Sequence, residues 1–222
     1  MGTIYLVRHG QASFGAADYD KLSELGTQQS VRLGEYFAAR GVGFEAVFTG
    51  TLKRHVQTWL GIAQGSGQNL HANTWSGLDE YNGQAIITAI APQELKTPDS
   101  PELYKHHFRL LRQGLTQWMR GAIQPEGMPS YAEFVRGITS ALDHVRWQYS
   151  GNVLIISSGG PISAAVGHIL GASTEATVEL NMHIRNSSVT EFTFSPRRHT
   201  LLTYNTLPHL DAPQYASWIT YA

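Results

Sequence analysis

The sequence predicts an α/β protein, a three-layer α/β/α sandwich with a mainly parallel central sheet and an antiparallel edge strand. Short β-rich runs alternate along the chain with segments of helical period, which is the order that builds parallel sheets. Thr3–Val7 lacks polar alternation, as expected for a strand covered on both faces. Near the C-terminus, residues 189–194 and 200–204 flank Pro196 and predict an antiparallel hairpin.

The first half of the chain contains three predicted strands and two predicted helices. Ser23 is a typical N-cap and Gly41 a typical stop for the first helix. Thr51 is the expected cap of the second helix, with Val56 and Leu60 on one face. The predicted strands are 3–7, 45–48 and 70–75, and the predicted helices are 23–40 and 51–63.

The second half contains two strong helix starts. Ser100 followed by Pro101 and an acidic residue begins one helix, and the capping box of Ser130 and Glu133 begins another. The other expected elements are a strand over 152–157 and a helix over 161–170. We expect one domain over residues 1–222, with a helical excursion at about 88–130 that lies over one sheet edge and confers substrate specificity.

Composition excludes several functional classes. Sixteen basic and seventeen acidic residues leave a net charge near −1, and no Lys/Arg run indicates a nucleic-acid or membrane partner. The chain has no cysteine, so disulfides and thiolate chemistry are excluded. The apolar run Ile4–Val7 is too short for a signal peptide, which predicts a cytoplasmic protein. His106 and His107 are adjacent on a helix and point apart, so we expect no metal and no cofactor.

Ligands of such sheets bind beyond the carboxyl ends of the strands. That rule selects three turns: 8–10, 49–54 and 157–161. In the first turn, His9 can act as a nucleophile or base, and Arg8 offers planar charged donors for phosphate or carboxylate. Short motifs match often by chance, so a carbonyl-bonded histidine and a surface arginine are the more frequent interpretation of this tripeptide alone.

Two further residues strengthen the functional interpretation. Arg54 falls in the first turn of a predicted helix, where free N–H groups and the helix dipole already favour an anion. Glu80 follows the third strand, and an acid beside a phosphate dianion has the raised pKa that a proton donor requires. A loop carboxylate in water is an equally good interpretation of Glu80 from the sequence alone.

Four separated motifs in a fixed order resemble the histidine phosphatase superfamily, also called the phosphoglycerate-mutase-like family. IRNSSVTEF and NTLPHL near the C-terminus resemble its closing segments, so the resemblance covers essentially the whole chain. The four motifs are LVRHGQAS at 6–13, KLSELGTQQS at 21–30, FTGTLKRHVQT at 48–58 and LDEYNG at 78–83.

The resemblance implies a two-step phosphoryl transfer and names the residues for it. His9 corresponds to the nucleophile that attacks phosphorus, and Glu80 to the acid that protonates the leaving oxygen. Water then hydrolyses the phosphohistidine. The resemblance also implies a set of phosphate-binding residues: Arg8, Gln11, Arg54, Ser158 and Gly159.

One motif departs from the family pattern. The family has Ser-His-Gly-Gly where this chain has Ser157-Ser158-Gly159-Gly160, so Ser158 stands at the position of the second pocket histidine. A neutral hydroxyl is a weaker donor than a charged imidazolium by about 1–2 kcal/mol, which predicts a roughly ten- to thirtyfold slower enzyme. His55, directly after Arg54, is a candidate to lean toward Ser158.

The resulting prediction is a phosphomonoesterase that acts on a small phosphorylated metabolite. The alternative is a non-catalytic phosphate-binding or regulatory protein on the same fold. A phosphoglycerate mutase is less well supported, because the Trp- and Asn-containing signature and the Glu-Arg-x-Tyr-Gly segment of those enzymes are absent. The expected partner is a phosphorylated substrate or inorganic phosphate, and the sequence leaves the oligomeric state open.

Overall fold

A computed structural model describes residues 2–13, 20–93 and 100–221 of the chain. Its six strands form one mixed sheet in the order β3-β2-β4-β1-β5-β6. The strands are β1 (Gly2–Arg8), β2 (Ala46–Thr49), β3 (Ala72–Thr74), β4 (Asn152–Ser157), β5 (Val189–Ser195) and β6 (Arg198–Thr206). The helices are α1 (Glu24–Ala39), α2 (Lys53–Ser66), α3 (Gly83–Ile90), α4 (Pro101–Met119), α5 (Tyr131–Gln148), α6 (Gly159–Leu170) and α7 (Thr174–His183).

The sheet confirms the predicted α/β architecture. The four strands β3, β2, β4 and β1 are parallel, whereas β5 pairs antiparallel with β1 and with β6. In the centre of the sheet, Leu6 lies between Ile155 of β4 and Thr190 of β5. The carboxyl ends of β2, β4 and β1 therefore lie side by side at one edge.

Two apolar cores cover the two faces of this sheet. Side chains of β4 alternate between them, because successive residues of a strand point to opposite faces. Val153 and Ile155 join a core formed with α5 and α6, and Leu154 and Ile156 join a core formed with α1 and α2. This alternation gives the three layers that the sequence predicts.

A third apolar cluster holds α3, α4 and α7 together. Ile86, Leu115, Trp118 and Val178 form its buried centre, with Tyr81 packed against it. The end of α3 and the whole of α4 belong to the predicted excursion at 88–130, of which residues 94–99 lie outside the described residues. Tyr81, which follows Glu80, packs against this cluster, so the segment lies next to the loop that carries Glu80. That the segment covers the substrate remains a prediction.

The predicted caps are confirmed at three helices and wrong at one. Ser23, Ser100 and Ser130 each accept a hydrogen bond from a backbone N–H of the first turn, and Ser130 completes its capping box. The N-cap of α2 is Leu52 rather than Thr51. Thr51 does not cap because its N–H and hydroxyl both donate to the Asp79 carboxylate, a tertiary contact that overrides the local one.

Three further details differ from the sequence prediction. Val56 and Leu60 face solvent, Leu60 being 58% exposed, because polar site residues and Trp59 occupy the buried side of α2. Helix α6 begins at Gly159, ahead of Pro161. Helices α3 and α7 were not predicted from the sequence, because their burial depends on the third cluster rather than on the sheet.

Helices α1 and α2 approach so closely that glycines separate their backbones. A Cβ atom on Gly34 would lie 2.2 Å from the Ile62 carbonyl oxygen, and one on Gly65 would lie 2.0 Å from the Val31 carbonyl oxygen. Atoms cannot approach to this distance, so an added methyl group would force the helices apart. This contact fixes the C-terminal half of α2 against α1, and Arg54 lies in the first turn of the same helix.

We expect Gly34→Ala to lower the free energy of unfolding by about 1–3 kcal/mol, the typical cost of overpacking. Alanine is the better helix former by up to about 1 kcal/mol, so the measured loss is a lower limit on the cost of the crowded backbone contact. Urea unfolding is the measurement. Gly43→Ala is the control, because the nearest atom to its added Cβ is 4.0 Å away. A stabilised Gly34→Ala protein would show that α1 and α2 separate at no cost.

Candidate active site

The three predicted turns meet at the carboxyl edge of the sheet. The His9 N–H donates to the Ser157 carbonyl oxygen at 2.9 Å, and the Gly50 N–H donates to the Ile156 carbonyl oxygen at 3.2 Å. These two bonds join the end of β1 to β4 and the end of β2 to β4. Residues that are distant in the chain therefore share one small region, which also receives the loop that carries Glu80.

His9 is held in a single ring orientation. Its Nδ1 lies 2.7 Å from the Gly10 carbonyl oxygen, and its Nε2 lies 3.2 Å from Arg54 Nε. A carbonyl oxygen only accepts, so the ring proton is on Nδ1 and Nε2 accepts from Arg54. The side chain is 5% exposed. Burial, followed by the charge of Arg8, lowers the pKa of His9 well below its ordinary value, so the ring is neutral.

The backbone of His9 is fixed by packing around it. Its carbonyl oxygen accepts a hydrogen bond from the Ser187 N–H at 3.1 Å. A Cβ on Gly10 would lie 2.3 Å from the Gly26 carbonyl oxygen, so only glycine allows this turn to rest on α1. The Gly10 N–H donates to Thr58 Oγ1 at 3.1 Å. The lone pair of Nε2 is thus held at a defined position.

Arg54 lies in the first turn of α2 and is 8% exposed. Besides its contact with His9, its NH1 group donates to Asp20 Oδ1 at 2.8 Å. The second carboxylate oxygen of Asp20 accepts from the Lys53 N–H, which caps the helix from outside. Asp20 was not identified from the sequence, because an acidic residue in a polar loop shows no periodic signal. Asp20 therefore binds the Arg54 guanidinium group, which the resemblance assigns to phosphate binding.

Arg8 is the last residue of β1 and directly precedes His9. Its NH1 group donates to the Ile184 carbonyl oxygen at 2.6 Å and to the Tyr221 carbonyl oxygen. Both of these contacts are to backbone carbonyl oxygens. Arg8 contributes positive charge to the site while also tying the C-terminal segment to the sheet.

The Glu80 carboxyl group is anchored by backbone donors. The Gly160 N–H lies 3.1 Å from Oε1 and 3.2 Å from Oε2, and the Tyr81 N–H lies 3.2 Å from Oε1. Desolvation raises the pKa of Glu80, although the Gly160 bond and the charges of Arg8 and Arg54 act in the opposite direction. A Cβ on residue 160 would lie 2.2 Å from Oε1, so glycine is required there. Glu80 is therefore not a carboxylate in free water.

The remaining predicted residues lie in the same region with other partners. Ser158 is completely buried, and its Oγ lies 2.7 Å from Nε2 of His55. Gly159 is buried beside Arg8, since a Cβ there would lie 3.8 Å from Arg8 Nε. Gln11 is tied to α1, because its side-chain oxygen accepts from the Ser23 hydroxyl at 2.8 Å. The phosphate contacts of all three residues remain predictions.

The comparison with known proteins identifies the class. The model of the histidine phosphatase superfamily (branch 1) matches residues 4–207. The chain therefore belongs to this superfamily.

Individual relatives are distant. A Hydrogenobacter thermophilus protein named "Putative phosphoserine phosphatase 2" is 25% identical, covering 94% of this chain and 98% of that protein. A crystal structure of a mutant Entamoeba histolytica phosphoserine phosphatase in complex with phosphoserine has a TM-score of 0.62 at 17% identity, covering 95% and 100% of the two chains. YhfR of Bacillus stearothermophilus has a TM-score of 0.70 at 17% identity, covering 94% and 99%. These structures share the fold of this protein.

Neither a metal-ion cluster nor a membrane-spanning helix occurs in the described ranges 2–13, 20–93 and 100–221. Within them, no three histidine or acidic side chains are placed to hold a metal ion. Each helix of these ranges is too short or too polar to cross a bilayer.

The buried histidines predict how stability depends on pH. Burial lowers the pKa of His55 and of His209 to about 3, whereas an unfolded histidine titrates near 6.5. The stability from keeping them neutral is complete above pH ~6.5 and is lost as pH falls toward 3, by up to about 1.4 kcal/mol per unit for each residue. His55→Gln and His209→Gln should each flatten this decline in urea unfolding at pH 7, 6 and 5. The exposed His71→Gln is the control, and an unchanged slope in both buried variants would contradict the prediction.

Asp20 is expected to compete with anions for Arg54. Asp20→Asn keeps an oxygen for the Lys53 N–H and removes the charge, so we expect inorganic phosphate to bind about two- to fivefold more tightly, the range of a partly exposed ion pair. Calorimetric titration at low ionic strength is the measurement. Asp143→Asn, which removes the carboxylate paired with Arg146, is the control. Weaker binding by Asp20→Asn would mean that Asp20 orients Arg54 for phosphate.

Proposed function

We propose that this protein is a phosphomonoesterase that transfers the phosphoryl group of a small phosphorylated metabolite to His9 Nε2 and then to water. The observation that carries the proposal is the state of His9. Its ring is neutral, its proton is placed on Nδ1 by the Gly10 carbonyl oxygen, and its Nε2 lone pair faces the Arg54 side chain. A histidine in this state is a nucleophile rather than an acid.

The first step follows from the positions of the charged groups. Arg8 and Arg54 neutralise the phosphoryl oxygens, and Arg54 turns its Nε from His9 to the ligand. His9 Nε2 attacks phosphorus, forming a P–N bond while the bond to the leaving oxygen breaks. Glu80, whose raised pKa favours its protonated form, gives its proton to that oxygen.

In the second step Glu80 acts as a base instead of an acid. The Glu80 carboxylate takes a proton from a water molecule, whose oxygen attacks phosphorus as the P–N bond breaks. This returns Glu80 to its protonated form, releases inorganic phosphate and restores neutral His9. Both steps keep the negative charge of the transferred group next to the two arginines, which is the electrostatic requirement of phosphoryl transfer.

A non-catalytic phosphate-binding protein is the second candidate. The observation that favours this candidate is that side chains of the protein itself already bind to one another at the site. Arg54 donates to the nucleophilic nitrogen and to Asp20, and Ser158 provides a neutral group at the position where the family has a histidine. In this case phosphate displaces Asp20 and binds without reaction.

Hydrolysis of p-nitrophenyl phosphate separates the two candidates. We expect measurable wild-type turnover and a loss of about a thousandfold or more in His9→Ala, as for removal of a nucleophile. Mass spectrometry at neutral or alkaline pH should detect a phosphorylated His9 in the wild type. The exposed His71→Ala is the control. Turnover that survives in His9→Ala contradicts the proposal, and phosphate binding without turnover supports the second candidate.

Glu80→Gln tests the acid in the same assay. The p-nitrophenolate ion leaves readily without a proton, whereas an alkoxide needs one. We therefore expect Glu80→Gln to slow release of phosphate from an alkyl phosphate much more than from p-nitrophenyl phosphate. Equal losses for both substrates would assign Glu80 a structural role.

A further inference from the structure

A second histidine lies beside His9, on a different element from the one where the family signature has it. His55 is completely buried in the first turn of α2, and its ring centroid is 5.7 Å from that of His9. Its Nε2 lies 2.7 Å from Ser158 Oγ. The imidazole that the resemblance places at position 158 thus has a counterpart on α2, which contacts the Ser158 hydroxyl.

The surroundings of His55 show that the protein makes room for this ring. A Cβ on Gly50 would lie 2.2 Å from His55 Nδ1 and 2.4 Å from Asp79 Oδ1. Glycine at position 50 therefore allows the imidazole and the carboxylate to lie behind the turn. Three elements enclose the ring: the end of β2, the start of α2 and the start of α6.

The contacts of the two ring nitrogens indicate where the proton lies. Nδ1 has no hydrogen-bond partner among the described residues, and its nearest carboxylate oxygen, on Asp79, is 3.8 Å away. That carboxylate instead accepts from the N–H and hydroxyl of Thr51. Because a buried N–H without an acceptor is costly, the proton belongs on Nε2, which has a partner. His55 then donates to Ser158 Oγ.

Ser158 lies among the residues proposed to react. The residue before it, Ser157, accepts the His9 N–H, and the two residues after it adjoin Arg8 and bond Glu80. A hydroxyl at this place that already accepts a hydrogen bond has its own proton available for a ligand. Phosphoryl oxygens are acceptors only, so they need a donor there.

We propose that His55 is a positioning residue for the phosphoryl site. It donates from Nε2 to Ser158 Oγ and so directs the Ser158 proton to an oxygen of the bound phosphoryl group. The pair replaces the single histidine of the family pattern with a neutral two-residue donor. This inference rests on the proposed function, because it assumes that the phosphoryl group binds beside His9.

A double-mutant cycle on binding of inorganic phosphate tests the proposal. We expect His55→Ala and Ser158→Ala each to raise the Kd about three- to tenfold, the effect of losing one neutral donor. In the Ser158→Ala background, His55→Ala should add no further loss. His55→Gln should stay within about twofold of the wild type, because a glutamine amide can donate from nearly the same position. An equal loss with and without Ser158 overturns the proposal, as does an unchanged Kd in His55→Ala.

Nitrogen NMR of the wild-type protein, labelled at histidine, is the second measurement and needs no variant to fold. The expected spectrum shows the Nε2–H tautomer for His55. An Nδ1–H tautomer in the phosphate-bound protein overturns the proposal. Since both measurements use phosphate binding, a protein that binds phosphate without hydrolysing esters contradicts only the proposed activity. A wild-type protein that binds no phosphate contradicts both.

Discussion

The hydrogen bond between His9 Nδ1 and the Gly10 carbonyl oxygen is the contact on which the chemistry of this protein depends. It places the ring proton on Nδ1 and leaves the Nε2 lone pair facing Arg54. The bond spans a single peptide, and the backbone at this strand end is held on both sides. Ser157 accepts from the His9 N–H, and Ser187 donates to the His9 carbonyl oxygen. A local bond is thus made rigid by the pairing of β1 with β4 and β5.

The charges around this bond act together with burial. Desolvation and the arginines all disfavour a charged imidazole, so the pKa of His9 falls. The same desolvation raises the pKa of Glu80, although there the arginines oppose it. One enclosed region therefore holds a histidine with a lowered pKa and a carboxyl group with a raised pKa, and desolvation is the largest cause of both shifts. Asp20 and backbone carbonyl oxygens partly balance the charge of the arginines.

Close contacts through glycine set the geometry of these groups. Gly10 rests on α1, Gly34 lets α1 meet α2, and Gly160 lets the Glu80 carboxyl group reach the first turn of α6. At each of these positions the absence of a Cβ atom lets two segments of the chain lie in close contact, so the side chains of the site lie near one another. Close contacts of the backbone at these glycines therefore fix the positions of the site residues.

The sequence by itself determined the layers of the fold, the caps at Ser23, Ser100 and Ser130, and the three turns that carry the site. These features are encoded locally, by periodicity, by capping residues and by the rule for strand ends. Only the tertiary structure decided that Leu52 replaces Thr51 as the cap of α2, that α3 and α7 form, and which atoms Asp20 and His55 contact. Each of these depends on a partner far away in the chain, and a contact between distant residues has no signature in the order of neighbouring ones.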